Sequence, residues 1–173
     1  MTKYVLGGGC FWCLDAVYAQ LRGVMKVESG YAGGQGRPNY WRVVTGGTGH
    51  AEVVQVYFDE TVLPSDVILD IFFLIHDPTI LNKQGADEGT QYRSTMMYAN
   101  SQQKADFEAA RDRAQMIWNQ PIVTEIVPLD TFYIGENEHQ DYYKKNTEAG
   151  YCQIVIDPKI SSVKQTYTKW FKD

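Results

Sequence analysis

The sequence predicts an α+β fold: a single two-layer domain in which a mixed β-sheet carries helices packed against it. Three observations lead there. Short strand-like runs alternate irregularly with apolar residues at helical spacing, without the repeated β-α-β order of a doubly wound sheet. Gly7-Gly8-Gly9 meets neither the G-x-G-x-x-G nor the G-x-x-x-x-G-K-[ST] spacing, so a nucleotide-binding architecture has no support. The 173 residues, 44% hydrophobic and 13% aromatic, suit one domain spanning residues 1–173 with a sizeable core.

The elements follow in order. Residues 2–6 read as a short strand, broken by the three glycines. Leu14, Val17, Tyr18 and Leu21 then recur at helical spacing and place Cys10 in the first turn of a helix. Residues 29–49, rich in glycine and containing Pro38, read as a turn-rich segment, followed by the alternating strand 51–58 with Glu52 at its start. Ser65 is placed to cap a helix whose apolar residues Ile68, Ile71, Phe72 and Ile75 run up to His76, and Pro78 stops it. A long polar segment, 82–94, precedes a short strand at 95–98. A helix over 101–118 follows, and β-branched residues dominate a strand at 122–129. The last elements are a short helix over 137–146, a strand over 151–156 and an amphipathic helix over 162–171.

Composition removes several function classes. Sixteen basic against 21 acidic residues give a net charge of −5, so no basic field exists to attract nucleic acid or an anionic membrane. The first apolar run is too short for a signal segment and nothing later approaches a membrane span, which makes the cytoplasm the expected compartment. Three cysteines, an odd number, fit reduced catalytic thiols better than structural disulfides.

Chemistry concentrates at Gly7-Gly8-Gly9-Cys10-Phe11-Trp12-Cys13. A thiol at a strand-to-helix turn meets unsatisfied backbone N–H groups and the positive end of the helix dipole, which favour thiolate and are expected to lower the pKa of Cys10. The glycines are expected to let a substrate approach the backbone. The two long loops contribute polar and aromatic groups: Tyr31, Tyr40, Trp41 and the run Thr48-Gly49-His50-Ala51-Glu52 from the first, Gln84, Asp87, Gln91, Tyr92 and Arg93 from the second. A thiolate surrounded by an acid and by phenols can attack a centre whose oxygen must be protonated and held.

These words resemble one family, peptide methionine sulfoxide reductase A. Gly9-Cys10-Phe11-Trp12, Gly30-Tyr31-Ala32-Gly33-Gly34, Thr48-Gly49-His50-Ala51-Glu52, His76-Asp77-Pro78-Thr79 and the run from Gln84 to Ser94 occur in family order, continued by His139-Gln140-Asp141-Tyr142 and Gly150-Tyr151-Cys152. The resemblance implies reduction of the S epimer of methionine sulfoxide, free or in proteins, with no bound cofactor and an external dithiol such as thioredoxin as reductant. It implies Cys10 as nucleophile, Glu52 as acid, Tyr40 and Tyr92 as oxygen-binding phenols, Asp87 as the carboxylate that orders water and the oxygen site, and Phe11 and Trp12 as the pocket for the substrate methyl. Burial of Glu52 beside Val53 and Val54 is compatible with a raised pKa.

Attack by Cys10 leaves a sulfenic acid that a second thiol must convert to a disulfide. Cys13 and Cys152 compete for that role. Most members of the family carry glycine where this chain has Cys13, and recycle through a C-terminal cysteine. Cys13 is one helical turn from Cys10, whereas Cys152 precedes Ile154-Val155-Ile156, which reads as ordered strand. The expectation is a first disulfide to Cys13, with Cys152 accepting it afterwards as a relay to the reductant. Two other classes remain open: a general thiol-disulfide oxidoreductase using Cys10 and Cys13, which leaves Glu52, Asp87 and the tyrosines without a task, and a zinc module built from the cysteines and one of His50, His76 or His139, which lacks the second close ligand pair. The cluster around His139 and Tyr143 reads mainly as a solvated helix face.

Overall fold

The computed structural model describes residues 1–172. Among the described residues are eight strands: β1 (Thr2–Gly7), β2 (Val24–Ala32), β3 (Ala51–Phe58), β4 (Lys83–Gln84), β5 (Asp87–Glu88), β6 (Thr95–Tyr98), β7 (Glu125–Pro128) and β8 (Tyr133–Ile134). Six form one sheet in the order β7-β6-β1-β3-β2-β8, and β4 and β5 pair as a separate ladder. All neighbours in the large sheet are antiparallel except β6 and β7, so the sheet is mixed, as the sequence predicts.

Alternation along the central strands sorts side chains between two faces. Tyr4 and Leu6 of β1, with Val54, Val56 and Phe58 of β3, join the main core under the helices. Val5, Val53 and Ala51 enter a smaller cluster with Ala32 and Met97, covered by Val127, Leu129 and Phe132. The helical layer comprises α1 (Phe11–Tyr18), α2 (Tyr40–Val44), α3 (Ser65–Ile75), α4 (Ser101–Gln115), α5 (Tyr142–Lys145) and α6 (Asp157–Tyr167). Asn100 caps α4 by accepting from the Gln103 N–H at 2.9 Å. Ser65 is the first residue of α3 and not its cap; Pro64 holds that position. Among the described residues no helix is long and apolar enough to cross a membrane.

Further expectations are corrected. The segment read as turns from residue 29 onward begins instead with the end of β2, whose residues 30 and 31 pair with β3 on one side and β8 on the other. Gly30 is a strand residue there: a Cβ would lie 2.3 Å from the Tyr133 carbonyl oxygen, so glycine permits the close approach of β8. The run 151–156 is not a strand. Residues Cys152–Ile156 form a π-helical turn that continues into α6. A strand would bury Ile154 with Cys152 and Ile156, yet Ile154 is 77% exposed while the other two are fully buried. The β-preference of Ile154 to Ile156 is a matter of about 1 kcal/mol; seating a large apolar side chain in the core stabilises by roughly 2 kcal/mol. The helix expected over 137–146 is interrupted at Asp141, whose φ of 51° lies in the left-handed region, so that only Tyr142–Lys145 is α-helical. Finally, α1 stops at Tyr18, α4 stops at Gln115, and the seventh strand is confined to Glu125–Pro128.

Candidate active site

β1 delivers Cys10 to the N-terminal end of α1, where it is the N-cap residue, one position before the first helical turn. The glycines before it serve packing: a Cβ on Gly8 would lie 2.8 Å from the His76 ring. That corrects the idea that they give a substrate room. β3 is the neighbour of β1, and its register brings Glu52 to the same end of the sheet, on the face that carries Val54 and Val56. There Glu52, 1% exposed, accepts the Phe11 N–H at 3.1 Å, so one orphan donor of α1 is satisfied by the acid itself.

This arrangement reverses one expectation. The Cys10 thiol is pushed well up and not down. Burial is the first cause, with Glu52 and Cys13 adding repulsion, while the Trp12 N–H and the Tyr151 hydroxyl pull the other way without prevailing. Burial also raises Glu52 to about 8; Asp87 raises it further, and hydrogen bonds from the Phe11 N–H and Cys10 oppose the rise. At neutral pH the resting pair therefore holds two protons, a thiol beside a carboxylic acid. The helix end lost to desolvation because an 8% exposed sulfur has too little water to ionise.

Tyr40 opens α2 behind the cap Asn39, which accepts from Arg42 N–H at 2.9 Å. Its own N–H donates to Glu136 at 2.8 Å, and the other oxygen of Glu136 accepts the Tyr31 hydroxyl at 2.8 Å. Tyr92 lies in the short turn Thr90–Tyr92 after β5. Burial raises the phenols of both Tyr40 and Tyr92, Glu52 adding to it in each case, so both are neutral donors. Asp87 in β5 accepts the Tyr151 hydroxyl at 3.0 Å. Phe11 is fully buried against Tyr31 and His139, with ring centroids 5.6 and 5.4 Å away. Trp12 is only partly buried; it stacks on Tyr142 at 3.7 Å with planes 6° apart and donates its indole N–H to His139 Nδ1 at 3.2 Å.

The remaining thiols are inside. Cys13 and Cys152 are both 0% exposed, and all three cysteines are free. The Cys13 amide donates to the Cys10 carbonyl at 3.1 Å, and Tyr151 Oη lies 3.6 Å from Cys13 Sγ. His50 and His76 stand apart from the thiols as structural groups: His50 accepts the Gly34 N–H at 3.0 Å, and His76 is bound by the Phe72 carbonyl and Ser94 hydroxyl, each at 2.7 Å. Trp41 is 75% exposed.

Sequence reasoning missed three members of this site. His139 is buried in the aromatic wall and not solvated, its pKa lowered by burial, 4.6 Å from the Tyr40 ring. Glu136 fixes Tyr31 and Tyr40 together, and Tyr151 connects Asp87 to Cys13. For His139 and Tyr151 the signal was present in the words His139-Gln140-Asp141-Tyr142 and Gly150-Tyr151-Cys152; Glu136 belonged to no word.

A family model described as peptide methionine sulfoxide reductase matches residues 2–171. The chain belongs to the peptide methionine sulfoxide reductase family. A curated member from Pseudarthrobacter chlorophenolicus, peptide methionine sulfoxide reductase MsrA, is 55% identical over 171 residues, covering 98% of both chains. Among solved structures, Mxr1 from Saccharomyces cerevisiae in its reduced form is 34% identical with a TM-score of 0.82, covering 87% of this chain and 88% of Mxr1. The same yeast protein in complex with Trx2 matches at 25% identity and a TM-score of 0.58, over 82% of this chain and 84% of that one. The chain is thus an oxidoreductase of the methionine sulfoxide reductase family, and its mixed sheet with helices is that family's fold.

Proposed function

We propose that this chain, acting as one catalytic domain over residues 1–173, reduces the S epimer of methionine sulfoxide, free or in proteins, to methionine. One observation carries the reading: a buried carboxyl, Glu52, which burial raises to about 8, is hydrogen-bonded to the helix end that carries the Cys10 thiol. A sulfoxide sulfur becomes electrophilic when its oxygen is protonated. Glu52 gives its proton to that oxygen while Cys10 attacks sulfur and passes its own proton to the vacated carboxylate. In the collapse of the adduct the hydroxyl moves to Cys10 Sγ: the Cys10 S–O bond forms while the substrate's S–O bond and the transient S–S bond break. Methionine leaves with its sulfur reduced, and Cys10 is a sulfenic acid; Glu52 ends as it began. Tyr40 and Tyr92, both neutral, donate to the oxygen, and Asp87 orders the water beside it. Trp12, partly open and braced by Tyr142 and His139, lines the methyl pocket, with Phe11 as its buried floor.

The sulfenic acid is resolved by Cys13, one turn along α1. Cys152 then accepts the disulfide as a relay, and a thioredoxin-type dithiol in the cytoplasm reduces it; the yeast relative's complex with Trx2 supports the choice of a thioredoxin as partner. No bound cofactor is needed for any of these steps. General disulfide exchange is disfavoured, because it leaves the buried Glu52, Asp87 and the neutral phenols of Tyr40 and Tyr92 around Cys10 without a task.

Racemic methionine sulfoxide with a recycling dithiol tests the proposal. Consumption should stop at half the racemate, leaving the R epimer, and Cys10→Ser should abolish turnover. Loss of the R epimer, or turnover by that variant, is incompatible with it.

A further inference from the structure

Cys13 has the hardest task in this site. Attack on a sulfenic acid requires a thiolate, yet Cys13 is fully buried and burial pushes its thiol up. Groups from two other segments act on this one sulfur: β5, and the helical stretch that runs from Tyr151 through the π-helical turn into α6. The Tyr151 hydroxyl lies 3.6 Å from it and donates to Asp87 Oδ2 at 3.0 Å. Because that O–H is already committed to the carboxylate, what the phenol offers to Cys13 is a lone pair. Lys159, in the first turn of α6, bears on Cys13 as a positive charge that pulls its pKa down against burial. It is partly buried, and among the described residues it forms no ion pair with a carboxylate. A half-buried ammonium without a carboxylate, set beside a buried thiol, is the usual means of lowering a cysteine's pKa. Cys10 and Cys152 both feel Cys13, and His76 feels the charge of Lys159.

We propose that Asp87, Tyr151 and Lys159 together convert Cys13 to a thiolate when the Cys10 sulfenic acid forms. The proposal rests on the reading that Cys13 resolves that acid. Tyr151 takes the Cys13 proton on its lone pair and passes its own hydroxyl proton to Asp87 in the same event; its phenol, raised by burial, never becomes a phenolate. Lys159 keeps its charge and stabilises the sulfur anion. The thiolate attacks Cys10 Sγ, the S–S bond forms and the S–O bond breaks. Hydroxide departs as water with the Glu52 proton, and the proton held on Asp87 returns to Glu52, its electrostatic neighbour. One thiol and one sulfenic acid have become one disulfide and one water.

The Cys152→Ser protein, in which only Cys10 and Cys13 can pair, allows the test. One equivalent of methionine sulfoxide is added, and methionine release and the lifetime of the sulfenic acid, trapped by dimedone, are followed separately between pH 6.5 and 9.5. Added Lys159→Met or Tyr151→Phe should prolong the sulfenic acid at least tenfold at pH 7 per methionine released. The gap should narrow as pH rises and the thiol ionises unaided, and Lys159→Arg should restore most of the rate. A lifetime equal to that of Cys152→Ser alone, a gap independent of pH, or an Arg variant as slow as the Met variant would overturn the proposal. If Cys152→Ser alone forms no Cys10–Cys13 disulfide, the underlying assignment of Cys13 fails instead, and the proposal falls with it.

Discussion

Glu52 accepts the backbone N–H of Phe11 at 3.1 Å, so the acid is fastened to the residue that follows the nucleophile. The carboxyl is thereby tied to the backbone of α1 at the residue next to the sulfur's own. Replacing Glu52 by Gln keeps the acceptor for Phe11 and removes only the proton. Glu52→Gln is expected to fold normally and lose about 10² to 10⁴ in kcat, checked by steady-state reduction of a methyl sulfoxide; a loss under tenfold would show that the proton comes from elsewhere.

The wild-type pH profile follows from the same group. Glu52 must be protonated, and burial raises it to about 8. Activity should hold through neutrality and fall about tenfold per unit above pH 8. A kcat that climbs from pH 7 to pH 9 as the thiol ionises would mean that thiolate supply, not the acid, is limiting.

Much of this site was readable before any coordinates. Cys10, Glu52, Asp87, Tyr40 and Tyr92 stand in words whose order survives in the chain, and β1 and β3, which position Cys10 and Glu52, were placed nearly correctly, whereas α2 under Tyr40 and the β4–β5 ladder under Asp87 read only as loop. What escaped was decided by tertiary contact. Cys10 sits at a helix start, a local feature that favours thiolate, but its ionisation is set by burial and by Glu52, 42 positions away. Ile154 to Ile156 have strand preferences that packing on α1 overrode. Gly30 looked like a turn residue because what excludes a side chain there is the Tyr133 carbonyl, 103 positions away. Glu136 gave no signal at all, since its role exists only when Tyr31 and Tyr40 arrive beside it.

That role predicts a coupled defect. Glu136→Ala leaves the Tyr31 hydroxyl and the Tyr40 N–H without their acceptor, an expected loss of about 1 to 3 kcal/mol. Tyr40 loses its anchor with it, so kcat should fall with the stability. Urea unfolding and turnover measured on the same preparation check both; a variant with lowered stability and unchanged kcat would release Tyr40 from its role in holding oxygen.

Stability should respond to pH through two buried acids. Below the unfolded value of 4.5, Glu52 is protonated in both states and costs nothing; as pH rises toward 8 the unfolded chain ionises while the folded one does not, and stability is lost. Asp15, 2% exposed and raised to about 7 by burial, acts in the same direction over a lower window. The fall in stability from pH 5 to pH 8.5 should amount to a few kcal/mol, on the order of 1.4 kcal/mol per unit of pKa difference. Glu52→Gln should shrink it and be more stable than the parent at pH 8.5. Equal slopes for the two proteins would remove Glu52 as a cause.

Cys152 supplies the last prediction. It is fully buried at the start of a π-helical turn, a form of helix that occurs mainly as single turns at functional sites. For Cys152 to take the disulfide from Cys13, that turn must rewind to bring its sulfur, an electrostatic neighbour of Cys13 in the same core, into contact. Wild-type protein given one equivalent of substrate without reductant should therefore end with Cys152 in a disulfide, whereas Cys152→Ser should stop at Cys10–Cys13. Peptide mapping of the two oxidised proteins distinguishes the stages. In the recycling assay with thioredoxin, Cys152→Ser should release methionine in the first turnover as fast as the parent but turn over at least tenfold more slowly thereafter. Equal steady-state rates would show that the reductant reaches the Cys10–Cys13 bond directly, and that the thiol of Cys152 is only core.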